Sequence, residues 1–129
     1  MKKIFILVLV VVSSTLFSQQ FPTNENDVLK EVENLKINDE GLLVVLYTYY
    51  SDLTEKYSGY RAIAHNNLES ANGYVLGRSK EQKLKDLDKA QDEYNRMNDL
   101  YKKSFVSADL YYQLLNSKYP SKHKKVHDK

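Results

Sequence analysis

The sequence has 129 residues, with 19 Lys and Arg against 17 Asp and Glu and no cysteine. This length corresponds to one domain, and the near balance of charge excludes the generally basic surface that binding to a nucleic-acid backbone requires. The absence of cysteine excludes a disulfide framework and a lipid anchor on an N-terminal cysteine, so side-chain packing must stabilise the fold.

The first eighteen residues have the organisation of an export signal. Lys2 and Lys3 precede an apolar run at residues 4–12, and small polar residues follow, as in a secretory signal peptide. The run is shorter than the about 20 apolar residues of a membrane-spanning helix; the alternatives are an uncleaved anchor or a buried helix. We expect a signal peptide at residues 1–18 and an exported protein, periplasmic or secreted, with no integral membrane segment after cleavage. The mature chain would carry 17 basic and 17 acidic residues.

A first, short helix is predicted from Glu25 to about Ile37. Thr23 or Asn24 can cap its N-terminus, and apolar residues follow at helical spacing. A helix of this length is marginal alone, so we expect it to pack against the rest of the chain. The apolar residues that define its inner face are Val28, Val32 and Leu35.

A second, long helix is predicted from Glu40 to Asn72. Its first part, residues 42–50, is rich in β-branched and aromatic residues and fits a buried strand when read alone. Apolar and polar residues do not alternate in this run, however, and it begins a heptad pattern typical of a coiled-coil seam. The residues at seven-residue spacing are Leu43, Tyr50, Tyr57, Ala64 and Ala71. Gly73 is expected to end the helix in a left-handed conformation.

A third helix is predicted from Lys80 to Lys118, ending before Pro120. Ser79 and Gln82 form a capping-box pattern at its start. A second heptad runs through Leu87, Tyr94, Tyr101, Ala108 and Leu115. Whether the helix breaks near Ser104–Ser107 stays open, since either serine can cap a separate last helix. Residues 121–129 are expected to form a disordered basic tail.

These elements predict an all-α fold for residues 19–120: a long, coiled-coil-like antiparallel hairpin with the short N-terminal helix packed on its base, as a three-helix bundle. The short connection makes the long helices antiparallel neighbours, and folding at residues 75–76 pairs Leu43 with Ala108. The same register pairs Tyr50 with Tyr101 and Tyr57 with Tyr94. The far part of the hairpin has a thin seam and should form a two-helix arm.

Tyrosine is unusually frequent, with 11 residues in the chain. Tyr50, Tyr57 and Tyr60 fall on the seam and are predicted to be core. Tyr47, which lies off the seam, Tyr49 and Tyr74 are the candidate partner-binding residues, because tyrosine offers a large contact area at low entropic cost.

No residue set predicts an active site, a cofactor site or a metal site. His123 and His127 are four residues apart, the spacing of a shared ligand pair on a helix, but they lie in the basic tail with no third ligand nearby and are only weak metal candidates. The carboxylates, Glu31 and Glu33 among them, have the density of a solvated helix face.

The sequence therefore predicts a non-enzymatic protein-binding or assembly module. The partner would be a protein, not identified by the sequence, or a second copy of the chain, giving a homo-oligomer. The alternatives are a periplasmic holdase-type chaperone, whose helical arms the hairpin resembles in outline only, and a small enzyme. The chain lacks the strongly basic balance of those chaperones.

Overall fold

The computed structural model describes residues 21–120, and all regular structure in this range is helical. The helices are α1 (Glu25–Asn34), α2 (Glu40–Asn72) and α3 (Lys80–Lys118). The predicted all-α hairpin with a short N-terminal helix is confirmed, including the bounds of both long helices. The signal peptide at residues 1–18 and the basic tail at residues 121–129 lie outside the described residues. No helix within residues 21–120 combines the length and apolarity needed to cross a membrane.

Helix α1 begins as predicted but ends three residues early. The N–H of Asp27 donates to the Asn24 side chain at 2.9 Å, which caps the N-terminus. At the other end Lys36 adopts a left-handed conformation with φ of 54°, and the N–H of Ile37 donates to the carbonyl of Val32 at 2.9 Å. This is a Schellman motif with lysine where glycine is usual, so the sequence shows no stop signal there.

The long helices are capped by side chains immediately before them. The N–H of Leu42 donates to the Asp39 carboxylate at 2.9 Å, and the N–H of Gln82 donates to the Ser79 hydroxyl at 3.1 Å, confirming the predicted cap of α3. Helix α3 is continuous through residues 104–107. Ser107 does not cap a new helix, because its hydroxyl lies within hydrogen-bonding distance of the carbonyls of Pro22 and Lys103.

The described residues form two compact units: a base unit of residues 21–51 and 103–120, and a distal unit, Asp52–Lys102. In the base unit α1 covers α2 and α3, as predicted, and all three helices supply buried side chains. Tyr50 stacks on Tyr111 with ring centroids 5.5 Å apart. The remaining buried hydrophobic residues of this unit are Phe21, Val28, Val32, Ile37, Leu43, Leu46, Ala108 and Leu115.

The distal unit has a much thinner core. Its buried side chains are Leu53, Thr54, Ala64, Met97 and Leu100, and none of residues 65–96 is buried. The thin seam predicted for this part of the hairpin is therefore confirmed. Packing of this kind makes local opening inexpensive relative to a dense core.

The predicted register between the long helices is wrong. Tyr50 contacts Tyr111 rather than Tyr101, and Tyr94 contacts His65 rather than Tyr57. Facing residue numbers therefore sum to about 160 instead of 151, so Leu43 and Ala108 lie on opposite sides of the Tyr50–Tyr111 level.

The connection between the long helices accommodates the offset. In the observed register the last residue of α2, Asn72, is level with about residue 88 of α3. Helix α3 begins at Lys80, so about eight of its residues, roughly 12 Å at 1.5 Å per residue, extend past the end of α2. The connection therefore runs alongside these first residues of α3, whereas the predicted register required a turn centred on residues 75–76.

Candidate partner-binding surface

Arg78 fixes the connection between α2 and α3. Its guanidinium donates to the carbonyl of Ala71 at 3.0 Å and to that of Gly73 at 2.6 Å, and it pairs with Asp86 at 3.1 Å. The side chain of Arg78 is only 10% exposed. The terminal carbonyls of α2 are therefore capped by a guanidinium, and the predicted left-handed glycine at Gly73 is wrong; the glycine with positive φ is Gly77, at 82°.

Asp86 keeps its charge in this arrangement. It accepts hydrogen bonds from the Gln82 amide at 2.8 Å and from Arg78. These hydrogen bonds, that from Gln82 first, hold the pKa of Asp86 below its usual range. Since the carboxylate stays ionised at neutral pH, the clamp formed by Arg78 and Asp86 persists under physiological conditions.

The clamped connection presents large apolar side chains to solvent. In the connection, Tyr74 and Leu76 are each 86% exposed and Val75 is 49% exposed, and Leu84, near the start of α3, is 63% exposed. We refer to these four residues as the apolar tip. Single exposed apolar residues are ordinary, whereas a contiguous group is typical of an interaction site.

Charge is unevenly distributed over the distal unit. The segment that carries the apolar tip, residues 73–85, has four basic residues and one acidic residue, giving a net charge of +3. The remainder of the distal unit, residues 52–72 and 86–102, has five basic and eight acidic residues, giving −3. The tip is therefore the positive end of a unit that is neutral as a whole.

A shallow depression of about 280 Å³ lies between α2 and α3 in the distal unit. Small side chains facing one another leave this space, because alanine fills less volume than the tyrosines and leucines of the base unit. We refer to it as the alanine groove. The residues that line it are Ala64, Asn67, Ala71, Asp86, Lys89, Ala90 and Glu93.

The three tyrosines predicted to bind a partner do not share a site. Tyr47 packs against Tyr112, with ring centroids 5.8 Å apart, and Tyr49 packs edge-on against Tyr50 at 5.2 Å. Both are half-buried in the base unit, whereas Tyr74 belongs to the apolar tip.

The seam tyrosines differ in burial. Tyr50 is 2% exposed, as predicted for core, but Tyr60 is 44% exposed and the prediction of core is wrong there. The Lys56 ammonium lies 5.7 Å from the Tyr60 ring centre. Tyr57, the third tyrosine predicted as core, is half-buried.

Glu31 is half-buried and does not lie on the solvated face that was predicted for it. The carboxylate accepts hydrogen bonds from the hydroxyls of Tyr50, at 2.9 Å, and Tyr111. Burial raises the pKa of Glu31, although both hydrogen bonds oppose that change. The sequence does contain a signal for this burial, since Glu31 lies between Val28 and Val32 on the apolar face of α1. The arrangement links three helices and is suited to holding the base unit together rather than to acid–base catalysis.

Metal-ligating residues do not cluster in the described part of the chain. No group of three or more His, Asp or Glu within residues 21–120 is arranged to hold a metal ion. His65 pairs with Glu69 at 3.1 Å on an exposed face of α2. His123 and His127 lie outside the described residues.

Comparison with known proteins identifies no relative of this chain. No protein-family profile matches the sequence, and no curated protein or solved structure resembles it with statistical support.

Proposed function

We propose that the mature chain is an exported, non-enzymatic protein-binding module that contacts its partner through the apolar tip. The observation that carries this proposal is the 86% exposure of both Tyr74 and Leu76 on a connection clamped by Arg78. Burying a side chain of this size in a partner contributes about 1.5–3 kcal/mol. Tyrosine is also among the residues most enriched in the energetic centres of interfaces.

The clamp supports this role because it limits the entropic cost of binding. Three hydrogen bonds from Arg78 and the Ser79 cap restrain the connection on either side of the tip. A preorganised loop loses less conformational freedom on association than a mobile one. The exposed side chains are thus held in a defined arrangement before a partner arrives.

Site-specific photo-crosslinking tests the tip in the producing cell. A benzophenone amino acid replaces Leu76 in the full precursor, and the matched control carries it in place of Lys102, an exposed residue of the same unit. We expect a discrete protein adduct from position 76 and little from position 102. Equal labelling at both positions, or no adduct at position 76, would contradict the proposal.

The export component rests on the order of charged, apolar and small polar residues in positions 1–18. We expect the protein recovered from the periplasm or the medium to begin at Gln19. Intact-mass measurement and N-terminal sequencing check this directly. Recovery of a chain beginning at Met1 from the membrane fraction would contradict it.

The holdase alternative gives a different result in a client assay. A general chaperone would suppress the aggregation of an unfolded client through a broad surface. Suppression that survives the double change Tyr74→Ser and Leu76→Ser would therefore oppose a tip-specific module and favour the chaperone.

A further inference from the structure

We infer that the partner of the apolar tip is a second copy of this chain, whose alanine groove receives Leu76 and Tyr74. This inference rests on the proposed function, since it names the partner of the same tip. Its basis is that one distal unit carries both an exposed apolar segment and a depression, in parts of the sequence with opposite net charge. Each copy would thus offer one tip and one groove.

Charge favours contact between the tip of one copy and the body of another. Residues 73–85 carry +3, and the remainder of the distal unit carries −3. Tip-to-tip encounters are repelled, whereas a tip approaching the other surface is attracted. Exposed charges are screened by salt, so this term selects the orientation of docking more than it supplies affinity.

The rim of the groove matches the residues that flank the tip. Asp86 and Glu93 place two carboxylates beside the groove, against one ammonium from Lys89. The tip is followed along α3 by exposed or half-exposed lysines with one acidic residue among them. Those flanking lysines are Lys80, Lys83 and Lys85. Both carboxylates already pair within their own chain, with Arg78 and Arg96, so the lysines of a docked tip would join existing ion pairs.

Size also indicates a side-chain occupant. Small-molecule sites occupy about 300–1,000 Å³, and the groove, with about 280 Å³, lies just below that range. It is open, and three of its seven lining residues are alanines, so it fits one or two apolar side chains from an exposed loop. Leu76 and Tyr74 provide such side chains, each 86% exposed.

The contact joins two different surfaces, which determines the kind of assembly. An interface between unlike surfaces repeats from copy to copy, so it produces a ring or an open chain rather than a closed two-fold dimer. Wild-type mature protein should therefore self-associate progressively with concentration, without stopping at a dimer unless a ring closes.

A mixing experiment tests this geometry. One variant removes the tip (Tyr74→Ser with Leu76→Ser), and another fills the groove (Ala71→Gln with Ala90→Gln), where both alanines are only partly buried. In sedimentation equilibrium each variant alone should be monomeric, with association weakened at least about tenfold. An equimolar mixture should form a one-to-one dimer and nothing larger, because one tip and one groove remain.

Two controls keep the outcome clear. Circular dichroism must show unchanged helix content in each variant, and Leu29→Ser, which alters an apolar residue of the base unit that is 46% exposed, should leave association unchanged. A wild-type protein that stays monomeric, or variants that associate like wild type, would overturn the inference. A mixed sample that yields no dimer would also overturn it.

The same crosslink at position 76 separates this inference from the proposed function. An adduct with twice the mass of the mature chain supports both. An adduct with a different protein, together with a monomeric wild-type chain, overturns the second-copy inference and leaves the proposed function standing. The absence of any adduct overturns both.

Discussion

The hydroxyl of Tyr50 on α2 donates to the carboxylate of Glu31 on α1 at 2.9 Å. Tyr111 of α3 donates to the same carboxylate, so one acidic side chain joins all three helices of the base unit. Tyr50 and Tyr111 are 2% and 0% exposed. Both hydroxyls donate to Glu31, and a buried hydroxyl that loses its acceptor is costly.

Replacing Glu31 with alanine should destabilise the fold by about 2–4 kcal/mol, because two buried phenol hydroxyls would lose their acceptor at about 1–3 kcal/mol each. Urea unfolding followed by circular dichroism measures this loss. Glu33→Ala, an exposed change on the same helix, is the matched control and should stay within about 0.5 kcal/mol of wild type. Equal effects of the two substitutions would show that Glu31 does not hold the base unit together.

The stability of the base unit should depend on pH through Glu31. Burial raises the pKa of this carboxyl above its ordinary value of 4.5, so the folded state favours the protonated form. The stabilising contribution is then fully present below pH 4.5 and is lost as pH rises through the folded-state pKa.

Comparison with Glu31→Gln isolates this dependence. The difference in unfolding free energy, wild type minus Glu31→Gln, should fall as pH is raised from about 4 to about 8. Glu33→Gln provides the control and should reproduce the wild-type profile. A difference that is flat, or that grows with pH, would contradict the assignment of a raised pKa to Glu31.

Alkaline pH should unfold the protein through Tyr50 and Tyr111. Burial, followed by the charge of Glu31, raises the pKa of both phenols well above the ordinary 10.0. Their contribution is therefore fully present below pH 10 and is lost above it, because only the unfolded chain ionises them readily. We expect these phenols to gain phenolate absorbance only as helical dichroism disappears. Complete phenol ionisation with the helices intact would contradict this prediction.

The helices could be predicted from sequence because their signals are local. Heptad spacing defines α2 and α3, and caps such as Ser79 lie within three residues of the backbone group they satisfy. The end of α1 could not be predicted, since Lys36 occupies the left-handed position where glycine is the usual signal. Local patterns therefore place helices well and miss an unusual terminus.

Contacts between residues that are far apart in the sequence could not be predicted. Glu31 meets Tyr50 and Tyr111 across 19 and 80 residues of sequence, which no periodicity reveals. Arg78 reaches back to the carbonyls of Ala71 and Gly73, and the heptad pattern does not reveal this contact either. Exposure of Tyr74 could be suggested from its place in a connection, but its presentation on a clamped loop could not.

Lys36→Gly should stabilise the protein by up to about 1 kcal/mol. The left-handed conformation costs a non-glycine residue about 1–2 kcal/mol. The gain from removing this cost is partly offset by the greater conformational freedom of glycine in the unfolded chain. Thermal or urea unfolding measures the gain. Lys30→Gly places the same substitution inside α1, on an exposed position, and should instead cost about 1 kcal/mol. Loss of stability in both variants would contradict the left-handed assignment.

Arg78→Gln should loosen the apolar tip without altering any of its exposed side chains. The shorter neutral side chain cannot reach the carbonyls of Ala71 and Gly73 together with Asp86, so the last turn of α2 loses its cap. We expect faster amide hydrogen exchange in the connection and the last turn of α2, and a loss of about 1–3 kcal/mol of stability. Partner contact through position 76 should weaken as well, because a mobile loop loses more conformational entropy on binding.

Arg96→Gln is the matched control for the clamp. Arg96 pairs with Glu93 at 2.9 Å on the same helix, but both side chains are about half exposed, and exposed pairs contribute little. Its loss should leave hydrogen exchange at the connection unchanged. If Arg78→Gln crosslinks as well as wild type while exchange in the connection rises, preorganisation is unimportant for contact, and side-chain exposure alone explains the tip. If exchange does not rise, Arg78 does not restrain the connection.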